Sequence, residues 1–241
     1  MEQNKLREET LVAPTPTDDL KRVFQDRKRT NILNAAEQKT ISFLVQRVPD
    51  FITSNMLTFT GTLGSVLVLA GFILATYLSR NYLLLGVAGL AINWLGDSLD
   101  GRVAYYRNIP RKWYGFSLDI IMDWVSTVLI GLGYLVYARS AYELIAFIFV
   151  VLYGWAMIIS QLRYKITDVY SIDSGLVGPT EIRIIIALML IVETIFGHLF
   201  EYFASGICIT LFIINIIDTR KLLKLGDIRD DMERKAKNNA A

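Results

Sequence analysis

Cysteine is almost absent. The single Cys208 lies inside an apolar stretch of the 241-residue chain, which excludes an intrachain disulfide and any cysteine-based metal pattern. A small buried hydrophobe is its expected role. Histidine is as scarce, with His198 alone. A surplus of one charge is missing too. The formal net charge is +2, so bulk electrostatics give no support to a nucleic-acid partner, and the information lies in where the lysines and arginines stand. No early apolar run follows Met1, where Glu2, Lys5, Arg7, Glu8 and Glu9 are found, so no secretory signal peptide is expected.

What abounds is apolar. Hydrophobic residues make up 53% of the chain and gather in long blocks, the pattern of a membrane protein. Residues 1–18 are polar, contain Pro14 and Pro16 and offer no periodic apolar face, so they read as a disordered tail. Over 19–48, Lys21, Arg22, Arg27, Lys28 and Arg29 interleave with Leu20, Val23, Phe24, Ile32 and Leu33, then Ile41, Phe43, Leu44 and Val45 follow. This predicts an amphipathic juxtamembrane helix region on the bilayer surface. After Pro49 come six apolar segments, at roughly 55–79, 82–106, 115–137, 142–162, 180–199 and 201–219, each with the ~20 residues that a spanning helix needs. The expected fold is therefore an all-α integral membrane protein. Six transmembrane helices occupy a 49–222 domain, preceded by an amphipathic interfacial N-terminal helix and followed by a charged cytoplasmic tail over 223–241.

Short turns at Arg80–Asn81, Ala138–Tyr142 and His198–Tyr202 alternate with longer, more polar connections at 107–114 and 163–179. Of the 25 Lys and Arg residues, the short turns hold only Arg80 and Arg139. Because basic loops stay cytoplasmic, both termini and both longer connections are expected on the cytoplasmic side of a multi-pass protein. The ends of the second and third segments then meet there.

Those ends carry four carboxylates. Asp97 and Asp100 close the second segment, in Gly96-Asp97-Ser98-Leu99-Asp100-Gly101-Arg102-Val103-Ala104, and Asp119 and Asp123 open the third, in Gly115-Phe116-Ser117-Leu118-Asp119-Ile120-Ile121-Met122-Asp123. Spacings of three and four put each pair on one helix face, so all four can converge between two antiparallel helices. An Asp near hydrocarbon costs ~2.5–3.5 kcal/mol on insertion scales, and clustering adds repulsion. A divalent cation offsets both penalties. Oxygen ligands without His or Cys favour Mg²⁺ or Mn²⁺ over zinc. Gly101 and Gly115 bring bare backbone beside the carboxylates, which suits a bulky ligand.

At these positions the chain resembles the CDP-alcohol phosphotransferase (phosphatidyltransferase) family. Its signature runs Asp, two residues, Asp-Gly, two residues, Ala-Arg, about eight residues, Gly, three residues, Asp, three residues, Asp. Asp97, Asp100, Gly101, Ala104, Gly115, Asp119 and Asp123 match it. The likeness extends to Asn55-Met56-Leu57-Thr58, similar to the family's Pro-Asn-x-Leu-Thr, and to the six-span count, but not to residues 1–48. Two departures stand out. Tyr105 replaces the family's Arg, and nine residues, Tyr106 to Tyr114, precede Gly115.

The resemblance implies a phospholipid-synthesising transferase. An acceptor hydroxyl attacks a CDP-alcohol and CMP is released, with two Mg²⁺ or Mn²⁺ ions. Asp97, Asp100 and Asp119 would be the main ligands, and Asp123 the general base that also touches a metal. Gly101, Ala104 and Gly115 would give room to the CDP-alcohol, with Asn55 and Thr58 as polar contacts. Arg102 or Arg107 would replace the missing cation, or Tyr105 would contact the nucleotide. Arg163, Lys165 and Arg183 form a candidate basic acceptor site, Arg183 lying where inositol-phosphate-transferring relatives hold the acceptor's phosphate. That favours CDP-diacylglycerol as donor and a phosphorylated polar acceptor. The same basic residues also read as headgroup anchors. Glu181, in a Pro-Thr-Glu context, resembles instead the choline and ethanolamine phosphotransferases, which pair a soluble CDP-alcohol with a lipid acceptor, diacylglycerol. Family members also suggest a homodimer in the lipid bilayer. An intramembrane prenyltransferase would need a second Asp-rich loop, which 163–183 does not supply. A non-catalytic divalent-cation-binding or transport protein would place paired acids in repeated halves, whereas here they form a single set.

Overall fold

The computed structural model describes residues 33–168 and 178–240. Within them the protein is all-α, with seven helices and no strand among the described residues. They are α1 (Asn34–Val45), α2 (Ser54–Tyr77), α3 (Leu83–Tyr106), α4 (Lys112–Tyr137), α5 (Glu143–Thr167), α6 (Pro179–Phe196) and α7 (Phe200–Ala240). The expected tail over 1–18 and the basic stretch from Lys21 to Arg29 lie outside the described residues.

Five helices, α2, α3, α4, α5 and α7, are long and apolar enough to cross a membrane. Their surfaces agree: Phe59, Leu63 and Val66 of α2, Phe147, Val151 and Ile158 of α5, and Ile209, Phe212 and Ile213 of α7 are all exposed. Apolar faces of this extent call for lipid rather than water. The sixth apolar segment of the sequence is α6. Its 18 residues contain Glu181, Arg183 and Glu193, which sets it apart in composition from the other five.

Each of those three charges has partners inside the protein. Glu181 accepts from the backbone N–H of Leu33 and of Gly178, both at 3.0 Å, tying the start of α6 to the segment that leads into α1. Glu193 is 3% exposed. It accepts from the Tyr137 hydroxyl at 2.7 Å and from the N–H groups of His198, Leu199 and Phe200 at 2.9, 2.9 and 2.8 Å. A helix start leaves its first N–H groups without partners, and here the last turn of α6 caps the first turn of α7. The chain reverses through Gly197 and His198, both at positive φ.

The N-terminal helix is not simply laid on a surface. Ile41 and Val45, four residues apart on one face of α1, are buried with Leu57 of α2 and with Leu99 and Val103 of α3, so α1 seals the ends of those two helices. At the other terminus, the apolar segment and the charged tail form one continuous α7, and the 222/223 boundary falls inside it. Helices also reach further than the apolar segments did. α4 begins at Lys112 and α5 ends at Thr167, leaving 107–111 as a short link between α3 and α4.

Position of the site follows from packing around α2. It packs chiefly on α3 and next on α4; α3 in turn packs on α6, α4 on α5, and α5 on α7. The two acid-bearing helices thus lean on α2 more than on each other. Glycines set the closeness of α2 and α3. A Cβ at Gly64 would collide with the backbone of Asn93 and Gly89, and one at Gly96 with the backbone of Gly61 and Leu57. Small residues at such crossings let helix backbones touch. The main buried cluster, including Phe72, Leu90, Tyr134, Leu190 and Phe200, joins α2, α3, α4, α6 and α7.

Candidate metal centre

A small cleft lies where α3 and α4 both pack on α2. It is lined by Thr58, Gly61 and Thr62 from α2, by Asn93, Asp97 and Asp100 from α3, and by Asp119, Met122, Asp123 and Ser126 from α4. All four aspartates singled out in the sequence line this one cleft. Asp97, Asp119 and Asp123 each offer a carboxylate oxygen within 4.8 Å of the others.

Asp100 is arranged differently. It is buried, and its Oδ2 accepts a 2.6 Å hydrogen bond from the Thr58 hydroxyl, while its Oδ1 accepts from the Gly101 N–H. Its carbonyl oxygen receives the Ser54 hydroxyl at 2.7 Å. Asp100 thereby fixes the first turn of α2 to the last turns of α3. The Thr58 contact assigns that residue a place beside a carboxylate.

A cation already reaches the cluster. Arg183, in the second turn of α6, places Nη2 2.8 Å from Asp97 Oδ2 and 3.7 Å from Asp123 Oδ1, with its side chain 14% exposed. Of the three basic residues grouped as an acceptor site, Arg183 alone makes ion pairs with these aspartates. Arg163 forms an ion pair with the buried Asp218 of α7 at 3.6 Å. Lys165 is exposed, and its carbonyl accepts from Arg229 at 2.9 Å. Arg183 thus faces the carboxylates, and Arg163 bridges α5 and α7.

The donor-binding candidates divide in the same way. Cβ atoms at Gly101 and Gly115 would meet open space, so room exists beside the carboxylates on both helices. Ala104 and Tyr105 follow about one turn beyond Gly101 and are partly exposed. Arg102 is buried, about 200° around α3 from Asp100 by helix geometry. Arg107 donates to the carbonyls of Ile52 at 2.6 Å, Pro49 at 2.8 Å and Val48 at 3.1 Å. It is thereby committed to stapling the α1–α2 link. Asn55, exposed at the cleft side of α2, accepts from Arg111 through Oδ1, and Arg111 also stacks over Tyr114, 4.2 Å from the ring centre.

Arg111 and the floor of the cleft escaped the sequence reading. Asn93 donates through Nδ2 to Gly61 O at 3.0 Å, Ser65 Oγ at 2.9 Å and Ser126 Oγ at 3.4 Å, joining α2, α3 and α4 beneath the carboxylates. A signal was there: Asn93 precedes Asp97 by four residues and Ser126 follows Asp123 by three, so each shares the acid-bearing face of its helix.

The donor set fits a hard divalent cation. It consists of carboxylate oxygens with hydroxyl and amide groups behind them, and no His or Cys lines the cleft; such sites take Mg²⁺ or Mn²⁺. No family model matches the chain, and no curated protein is similar to it.

Proposed function

We propose that the protein is a metal-dependent phosphotransferase of the CDP-alcohol type, with CDP-diacylglycerol as its donor. The observation that carries this reading is the meeting of Asp97, Asp119 and Asp123, from two different helices, within 4.8 Å. Asp100 lines the same cleft, and the glycines Gly101 and Gly115 face open space. The seven-position signature in the sequence supports the same assignment.

Asp97, Asp119 and Asp123, with Asp100, would hold two Mg²⁺ or Mn²⁺ ions. Bound there, the ions would neutralise charge on the donor diphosphate and orient the attacking oxygen. The residues supply the rest. Gly101, Ala104 and Gly115 would leave space for the nucleotide, Tyr105 would lie beside it, and Arg111, bonded to Asn55, would supply the cation that the family places at position 105. Asp123 takes the proton of the acceptor hydroxyl. The new bond forms to the phosphate farther from cytidine, the phosphoanhydride bond breaks, and CMP leaves with its electron pair. Arg183 beside the carboxylates favours a phosphorylated acceptor. Glu181, bonded to Leu33 and Gly178, gives no support to the choline-type alternative.

In this reading α6 is the sixth crossing, its charges neutralised by internal partners. Both termini, the 107–111 link and the cleft then lie on the cytoplasmic side, and the enzyme works as a homodimer in the bilayer. The test is product identity. Purified protein is incubated with CDP-diacylglycerol and a panel of phosphorylated and free polyols, and separately with CDP-ethanolamine and diacylglycerol. A phosphodiester lipid formed only from the first donor supports the proposal; product only from the second, or none from either, overturns it.

A further inference from the structure

The ion pairs of Arg183 place a fixed positive charge on two of the carboxylates that a metal would use. Its Nη2 lies 2.8 Å from Asp97 Oδ2 and 3.7 Å from Asp123 Oδ1, and both carboxylates belong to the 4.8 Å group with Asp119. Three carboxylates alone would present three negative charges to a dication; with the guanidinium seated among them they present two. In a poorly solvated cleft the lost attraction is large, because charges a few ångströms apart interact strongly where water is scarce. A metal seated on Asp97 or Asp123 would also stand within a few ångströms of the guanidinium, and like charges at that distance repel.

We infer that Arg183 is a built-in competitor of the divalent cation, holding Asp97 and Asp123 until a metal displaces it. The inference rests on the metal-dependent reading of the cleft. Arginine suits the role. Its charge is permanent, and its long stem allows the head to swing while the α6 backbone stays in place. The ion pair compensates the carboxylates' mutual repulsion within an apolar bundle, and metal takes over that task. Displacement leaves the guanidinium beside the cleft, where it is available to an anionic group. Metal occupancy and anion binding are then positively linked, and such linkage is reciprocal.

Manganese titration of the full-length protein in detergent, reading free Mn²⁺ by electron paramagnetic resonance, tests this without turnover. Arg183→Gln should bind Mn²⁺ more tightly, by about tenfold or more, since a neutral side chain removes the competing charge. Arg183→Lys keeps the charge and should stay within about threefold of the parent. A folded Arg183→Gln that binds Mn²⁺ equally or more weakly overturns the inference and makes Arg183 a positioning residue for Asp97. A second readout needs no variant. Mn²⁺ should raise modification of Arg183 by phenylglyoxal, followed by mass spectrometry, in the unaltered protein, whereas unchanged or reduced modification contradicts displacement. Binding lost in Asp119→Asn but unaltered in Arg183→Gln removes the competitor role and leaves the metal site standing. Absence of Mn²⁺ binding in both the parent and Arg183→Gln overturns the metal reading itself.

Discussion

At the residue scale, the four aspartates share a cleft without sharing an environment. Asp100 is held by Thr58 and by backbone, Asp97 by Arg183, and Asp123 lies a helical turn deeper than Asp119. In the assigned mechanism Asp123 is the proton acceptor, so Asp123→Asn should abolish CMP release while binding of the CDP-alcohol, measured by calorimetry, survives; retained turnover would remove it from that role. Beneath them, Asn93 bridges three helices through one amide group. Asn93→Ala would leave a buried carbonyl and two hydroxyls without their donor. A loss of about 1–3 kcal/mol is expected for buried groups so deprived, read as a lower unfolding temperature in detergent. The grouping of the acids was legible from their spacing. Their hydrogen-bond anchors were not, because Thr58 and Asn93 reach them from other helices and no local pattern reports a tertiary contact. Arg102 and Arg107 show the limit from the other side. Both stand near the motif in sequence, yet helix geometry turns one away from Asp100 and the other is bound by the carbonyls of 48–52.

At the scale of elements, the site exists because α2 separates α3 from α4 while lying in backbone contact with α3. The glycines of that crossing and those that face open space, such as Gly101, are therefore expected to respond differently to the same substitution. Gly96→Ala drives a methyl group into the backbone of Gly61 and Leu57; neither can yield as a side chain would, and overpacking of this kind costs about 1–3 kcal/mol. Gly101→Ala meets nothing within contact distance, so folding should be preserved, and any effect should fall on the affinity for the CDP-alcohol. Comparing unfolding temperature and donor affinity for the two variants separates the roles. Equal destabilisation by both would contradict them. The apolar segments predicted the helices, but not the extent of each. Polar residues such as Lys112 and Lys165 extend helices beyond the apolar segments, where hydropathy carries no signal. α6 illustrates the converse: its charges look adverse until Tyr137, Asp97 and the start of α7 are seen as their partners.

At the scale of the whole molecule, five helices are long and apolar enough to cross a membrane, and the proposed reading adds α6 as a sixth crossing, which puts the termini on one side. Single cysteines introduced at Arg80 and at Lys237 in a Cys208→Ala background should label from opposite faces of sealed vesicles with a membrane-impermeant maleimide; labelling from the same face would contradict six crossings. The charge asymmetry of the sequence pointed to this arrangement. The way α1 closes the ends of α2 and α3, and the way Arg229 of α7 bonds the carbonyl groups at the end of α5, could not be read there, since both join segments far apart in the chain. These contacts gather on the side where the cleft opens, and the central claim is that this side performs metal-dependent phosphoryl transfer. Its most direct test is CMP release from CDP-diacylglycerol by purified protein, with acceptor present, in Mn²⁺ or Mg²⁺ and after chelation. The expected result is release that requires the metal and disappears in Asp119→Asn; release that persists in chelator or in Asp119→Asn, or no release under any of these conditions, would contradict it.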